Sequence, residues 1–193
     1  MLAVVAKGLK DLKERVVFVG GATIELYVPP SATEGRATDD VDCVVEMASH
    51  VKHYELEEEL RKLGFKHPMA PGAPICRWEY SGISVDVMPT EGKVLGFNNR
   101  WYAEGMANTR KAELPDGQEI EIFSAPYLLA SKIEAFSDRG RGEFLVSRDI
   151  EDIVTVLDGF GDAIRHSPCF PRFLLLLACA FRCSETRPIR ARS

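Results

Sequence analysis

The chain has 193 residues, 46% of them hydrophobic and 27% charged, the balance of one soluble globular unit with a sizeable interior. Its net charge of −5 divides unevenly: six arginines and one glutamate follow Ala163, so the tail carries +5 and the body −10, which excludes a general nucleic-acid binder. Five cysteines, odd in number, widely spaced and without a CxxC pair, point to a reduced cytoplasmic location and away from a zinc site.

Leu2, Val5, Leu9 and Leu12 share one helical face and predict a first helix from about Leu2 to Glu14. No long apolar run of the kind a signal peptide needs is present there. Val16 to Val19 is an apolar, β-branched run followed by Gly20-Gly21, a pair that lets backbone approach where a Cβ would block it. A short helix and a loop lead to a second strand that begins Asp40-Val41-Asp42 and continues Cys43-Val44-Val45. Strand side chains alternate faces, so Asp40 and Asp42 point together while Val41 enters the core. Neighbouring carboxylates repel unless a cation or a shared proton joins them. Their oxygens suit magnesium, which binds through one or two carboxylates plus substrate phosphates. A glycine turn for phosphates beside a paired-aspartate metal site suggests nucleotidyl transfer.

Ser49 caps a predicted helix to about Leu63, with Leu56, Leu60 and Leu63 on one face and Gly64 as its stop. His50 and His53 read as solvent-exposed residues rather than metal ligands. Pro68 to Pro74 is a loop. Ile75 to Tyr80 and Ile83 to Met88 form a hairpin around Ser81-Gly82. Asp86 interrupts the second strand of that hairpin, either as a strand-end residue facing water or as a third carboxylate beside the aspartate pair. Two further strands, Lys111 to Leu114 and Glu119 to Phe123, flank the Pro115-Asp116-Gly117 turn, and turn chemistry accounts for Asp116.

Ser124 opens a helix with Pro126 in its first turn. Leu128, Leu129, Ile133 and Phe136 supply its buried side, and Lys132 shares that face. The lysine either snorkels from a helix edge or aims a cation at triphosphate oxygens. Arg139 to Gly142 is a basic, flexible connector. A helix from about Arg148 to Leu157 places Asp149 and Asp152 on one face and anchors Ile153, Val156 and Leu157 in the core. Helix-dipole stabilisation accounts for Asp149 without function, and a pair with Arg148 or another surface cation accounts for Asp152. Phe173 to Phe181 is a nine-residue apolar run among prolines, far short of a membrane span. Residues 161–193 read as an atypical tail, either partly disordered or hiding its apolar run against the body or a second chain.

Gly20-Gly21 followed by Asp40-Val41-Asp42 resembles the signature of the nucleotidyltransferase superfamily. Lys132-Ile133-Glu134-Ala135 with Arg139, and Arg148-Asp149-Ile150-Glu151-Asp152-Ile153, are similar to two motifs of AbiEii-like toxin nucleotidyltransferases from type IV toxin–antitoxin systems. The resemblance covers residues 10 to 160. It implies an α+β (α/β) fold with a mixed sheet flanked by helices and a C-terminal helical part. Residues 1–123 would form the nucleotidyltransferase core, and residues 124–160 would complete the active site. It also implies an enzyme that transfers a nucleoside monophosphate from an NTP to a hydroxyl, with a tRNA or other RNA end as first acceptor and an antitoxin protein as partner. A small molecule or a protein is the alternative acceptor, and a non-catalytic nucleotide-binding module the alternative class. In this reading Asp40, Asp42 and Asp86 hold Mg2+ (or Mn2+), with Asp86 a candidate base. Lys132 and Asp149 join them in catalysis. Gly20, Gly21, Thr38, Lys132, Arg139 and Asp152 hold the nucleotide. Arg36, Lys132, Arg139, Arg141 and Arg148 are candidates for a local basic groove.

Overall fold

Val16–Val19 is buried along its whole length and forms strand β1. A strand covered on both faces reads as an unbroken apolar run, and this one lies inside the sheet. The computed structural model describes residues 1–29, 38–47, 49–91, 99–139 and 143–160, the side chains of residues 50, 139 and 160 aside. Strand β1 pairs antiparallel with β2 (Asp40–Val45) and parallel with β6 (Glu119–Phe123). With β3 (Arg77–Tyr80), β4 (Ile83–Pro89) and β5 (Thr109–Glu113) they make a six-stranded mixed sheet in the order β3-β4-β2-β1-β6-β5. Helices α1 (Leu2–Leu9), α2 (His50–Lys62), α3 (Tyr102–Met106), α4 (Ala125–Arg139) and α5 (Arg148–Phe160) accompany it. The chain thus adopts the α+β fold with a mixed sheet flanked by helices that its sequence implies.

The core brings both sources of apolar surface together: Phe18, Val41 and Ile122 from the sheet, and Val5, Leu60, Leu128 and Leu129 from the helices, are fully buried. Each contributes about 1.5–3 kcal/mol relative to exposure. Leu56 and Leu60 hold α2 down as its spacing predicts, and the Ser49 hydroxyl accepts from the Lys52 N–H at 3.3 Å to cap it. The hairpin turn has φ of 50° at Ser81 and 78° at Gly82, the pair of positive values that a two-residue turn with the twist of its strands requires.

Several boundaries differ from the sequence reading. The first helix ends at Leu9, because Lys10 has φ of 49° and breaks the ladder; a 3-10 segment, Lys10–Arg15, follows and still buries Leu12. Strand β3 begins at Arg77, not Ile75, since the Arg77 N–H bonds back to the Pro74 carbonyl at 2.9 Å and leaves Ile75 exposed. Helix α3 has no counterpart in the sequence reading. Val156 is fully buried as predicted, but Leu157 turns outward. His53 is partly covered, not solvent-exposed, with its Nδ1 3.9 Å from Glu57. The tail, residues 161–193, lies outside the described residues.

Helix α5 packs on α4 and on the 3-10 segment Gly21–Leu26 that follows β1. The approach is close: a Cβ on Gly159 would fall 2.3 Å from Val28 Cγ1. The only residue that fits there without displacing Val28 is one with no side chain.

Candidate active site

Strand register builds the carboxylate cluster. Asp42 on β2 faces Asp86 on the parallel β4, and Asp40 lies two residues away on the same face of β2. One oxygen from each of Asp40, Asp42 and Asp86 lies within 4.8 Å of the other two, and all three residues are half-buried. The interleaved Val41 and Cys43 are fully buried on the opposite face. The two-residue period of a strand therefore separates solvent-facing acid from core-facing apolar group at each step.

The glycine turn sits directly over this cluster. Val19, the last residue of β1, pairs with Asp42, so the chain turns at Gly20 immediately beside that carboxylate. Gly20 has φ of 76°, and a Cβ there would fall 1.9 Å from Asp42 Oδ2. Two constraints thus select glycine here: a left-handed backbone and the space the carboxylate occupies. The buried Thr23 closes the turn, its Oγ1 donating to the Gly20 carbonyl at 2.9 Å and its N–H at 3.3 Å.

Arg77, absent from the sequence reading, enters from the hairpin. Its Nε donates to Asp86 Oδ1 at 2.8 Å and one terminal nitrogen to Asp86 Oδ2 at 2.6 Å; the same nitrogen lies 3.6 Å from Asp40 Oδ2. The bidentate bond to Asp86 raises the pKa of Arg77 further above its ordinary value, with Asp40 adding to the effect. Beneath the cluster the Cys43 thiol is also raised, first by burial and then by Asp42 and Asp86. Cys76 is pushed up to about 11 by burial and by Asp86. Both thiols are free, and neither is a thiolate at neutral pH.

A second cluster joins α4 to α5. Lys132 Nζ lies 3.2 Å from Asp149 Oδ1 and 2.6 Å from Asp152 Oδ2, and the three side chains are 9%, 5% and 3% exposed. Lys132 does face the buried side of its helix as the spacing predicts, but it neither snorkels to water nor stands alone: it is clamped between two acids. Asp152 pairs with this buried lysine, whereas Arg148 turns to Asp39 at 3.6 Å on the surface. Two residues further along α4, Glu134 is buried and lies 2.8 Å from Arg100, a further ion pair the sequence reading missed.

The predicted residues thus fall into two groups, Gly20, Asp40, Asp42 and Asp86 at the sheet and Lys132, Asp149 and Asp152 at the helices. Gly21 opens the 3-10 segment against which α5 packs, and Thr38 lies half-buried two residues before β2. Arg36, Arg141 and the side chain of Arg139 lie outside the described residues. A cavity of about 550 Å³ opens at the other end of β1 and β2, lined by Glu14, Val16, Val45, Met47, Leu56 and Glu121, away from both groups of acids. Among the described residues, no helix is long and apolar enough to cross a membrane.

No protein-family model matches the chain, and no curated protein matches it closely. Solved structures do. The solution structure of the antibiotic-resistance factor ANT(2'')-Ia matches with a TM-score of 0.60 at 17% identity, over 95% of this chain and 91% of that one. A crystal structure of ANT(2'')-Ia in complex with adenylyl-2''-tobramycin matches with a TM-score of 0.61 at 14% identity, over 94% and 95%. At such identities the likeness is one of architecture, and that architecture is the nucleotidyltransferase fold.

Proposed function

We propose that this chain is a nucleotidyltransferase that moves a nucleoside monophosphate from an NTP to a hydroxyl of a small, positively charged acceptor. The observation that carries the proposal is the convergence of Asp40, Asp42 and Asp86, with Asp42 directly against Gly20. Three oxygen donors within 4.8 Å of one another fit a hard divalent cation, magnesium or manganese. Asp40, Asp42 and Asp86 would hold it, and a bound ion of this kind neutralises charge developing on phosphate oxygens. The Gly20-Gly21 turn supplies room and backbone donors for the same phosphates.

Residues 124–160 complete the site in this reading. Lys132 keeps α4 against α5 through Asp149 and Asp152, and it reaches a phosphate only by giving up one of those bonds. Thr38 and Arg139 would bind the nucleotide in this reading.

Two observations favour a small acceptor. A body at −10 attracts a polycation and repels RNA. A structural neighbour is seen with adenylyl-2''-tobramycin, an adenylyl group carried on a small molecule. The second reading, a toxin that modifies an RNA end and is countered by an antitoxin protein, rests on the Lys132–Arg139 and Arg148–Ile153 stretches. The free Cys43 and Cys76 thiols fit a reducing cytoplasm in either case.

Incubating the purified protein with each labelled NTP, Mg2+ and, in separate reactions, an aminoglycoside panel or total RNA separates the readings. Label on an aminoglycoside supports the first, and label on a tRNA-sized band moves the assignment to the second. The absence of transfer, together with no thermal shift from NTP and Mg2+, removes the enzymatic reading altogether.

A further inference from the structure

Arg77 is a cation already seated against two of the three aspartates, Asp86 and Asp40. Its guanidinium bonds both oxygens of Asp86 at 2.8 and 2.6 Å and comes within 3.6 Å of Asp40. The contact is fixed by backbone as well as side chain. Arg77 is paired with Asp86 across the β3–β4 hairpin, and the Arg77 carbonyl accepts from the His67 ring nitrogen at 3.0 Å. That bond ties the strand to the segment after α2, where His67 also stacks on Trp78 at 3.8 Å. The Arg77 side chain is still 32% exposed, with water on one side into which it can swing.

Two cations on one carboxylate at contact distance repel each other, and a bidentate guanidinium already occupies one in-plane lone pair on each Asp86 oxygen, the two that a chelated ion would use. We propose that Arg77 is an internal competitor for the metal: it neutralises Asp86 and Asp40 in the metal-free protein and must leave Asp86 before an ion can be held by all three aspartates. The site is then kept assembled without an ion, and its affinity for a bare divalent cation is set low by the cation already present. A metal arriving with a nucleotide brings its own phosphate charge, which attracts Arg77 off Asp86, so the arginine favours the metal–nucleotide pair over the metal alone.

This inference rests on the metal-site reading of the three aspartates, and direct Mn2+ titration by electron spin resonance tests both without any need for turnover. Four proteins suffice: wild type, Arg77→Met, Arg77→Lys and Asp42→Ala, each titrated below its own melting transition. Arg77→Met is expected to bind free Mn2+ about tenfold tighter than wild type, a change of about 1.4 kcal/mol. Arg77→Lys, which keeps the charge but loses the fork, falls between them. Arg77→Met affinity equal to or weaker than wild type overturns the proposal, because the arginine would then be neutral to the ion or needed to position Asp86 for it. Should Arg77→Met not fold, Arg77→Lys decides in the same way: tighter binding sustains the competition, and unchanged or weaker binding ends it. Asp42→Ala separates the two failures. If it binds Mn2+ as wild type does, the metal site itself is elsewhere and the role of Arg77 goes with it; if it loses binding, only the Arg77 arms bear on the competition.

Discussion

Asp40, Asp42 and Asp86 lie half-buried on two neighbouring strands, three acids with one guanidinium set against Asp86 and Asp40. Asp149 and Asp152 lie almost wholly buried on one helix, two acids facing one ammonium. In the first cluster the backbone register fixes the spacing and water still reaches the charges, so the repulsion is tolerated. In the second, water is excluded, and the ion pairs themselves are what make the burial possible. Acids held together by a scaffold remain available to something from outside, whereas acids held together by each other's counter-ion are committed to structure. The two groups of candidate residues therefore differ in what their removal costs.

The sharpest break between them is Lys132→Met. Taking away the shared cation leaves two carboxylates buried without it, which costs about 3–5 kcal/mol of folding stability. Urea denaturation measures it, and adding Asp149→Asn and Asp152→Asn to the same chain is expected to recover most of the loss. A Lys132→Met protein as stable as wild type would mean that the helix cluster is no more committed than the sheet cluster.

Next in size is Gly20→Ala, which strikes the sheet cluster through the backbone. The new Cβ would fall 1.9 Å from Asp42 Oδ2 at a φ of 76°, so strain and displacement together cost about 1–3 kcal/mol. Part of that cost goes into turning the Asp42 carboxylate away, so Mn2+ affinity falls along with the denaturation midpoint. A stability loss with full Mn2+ affinity would show that the turn and the carboxylate are not coupled.

How far each cluster can be read from the sequence follows from the range of the interactions that build it. Asp40 and Asp42 are legible because a strand alternates over two residues, and Gly20 because its neighbours form an obvious apolar strand. Asp86 is legible as a charge out of place in an apolar run. Arg77 was within reach too: a two-residue turn at Ser81-Gly82 pairs Tyr80 with Ile83, and counting outward along both strands sets Arg77 opposite Asp86. The helix cluster was legible only by face. The period of α4 puts Lys132 on the buried side, but nothing local says that Asp149 and Asp152 meet it, because that depends on how two helices cross. The break at Lys10 and the short α3 were not legible, since both are set by packing and not by propensity.

A change of pH tests the dryness of the floor beneath the sheet cluster. Cys76 ordinarily loses its proton near 9.0 and is held to about 11 in the folded chain; Cys43 and Tyr27 are raised in the same direction by burial. Because the unfolded chain gives up these protons first, stability falls as pH rises; the part due to Cys76 is whole below pH 9 and is lost as pH climbs towards 11. The slope for Cys76 is up to about 1.4 kcal/mol per pH unit. Urea midpoints taken with reductant at pH 8, 9 and 10 are expected to fall, and to fall less in Cys76→Ala. A flat profile would mean that water reaches the thiol, and that the carboxylates above it lie over a wet floor.

The smallest expected change is also the one that divides function from stability most cleanly. Asp42→Asn preserves the shape that fits beneath Gly20 and removes one of three neighbouring negative charges. In metal-free solution its stability is expected to hold or to rise by up to about 1 kcal/mol, the range of a relieved like-charge cross-strand pair. Its Mn2+ binding and any nucleotidyl transfer should be lost, because an amide oxygen carries no net charge to offset an ion beside Asp40 and Asp86. A loss of more than about 1 kcal/mol would place Asp42 with Asp149 and Asp152, as an acid the fold cannot spare. If it instead holds or gains, the three carboxylates on the sheet are assembled at the expense of stability, which selection retains only where something charged is meant to arrive.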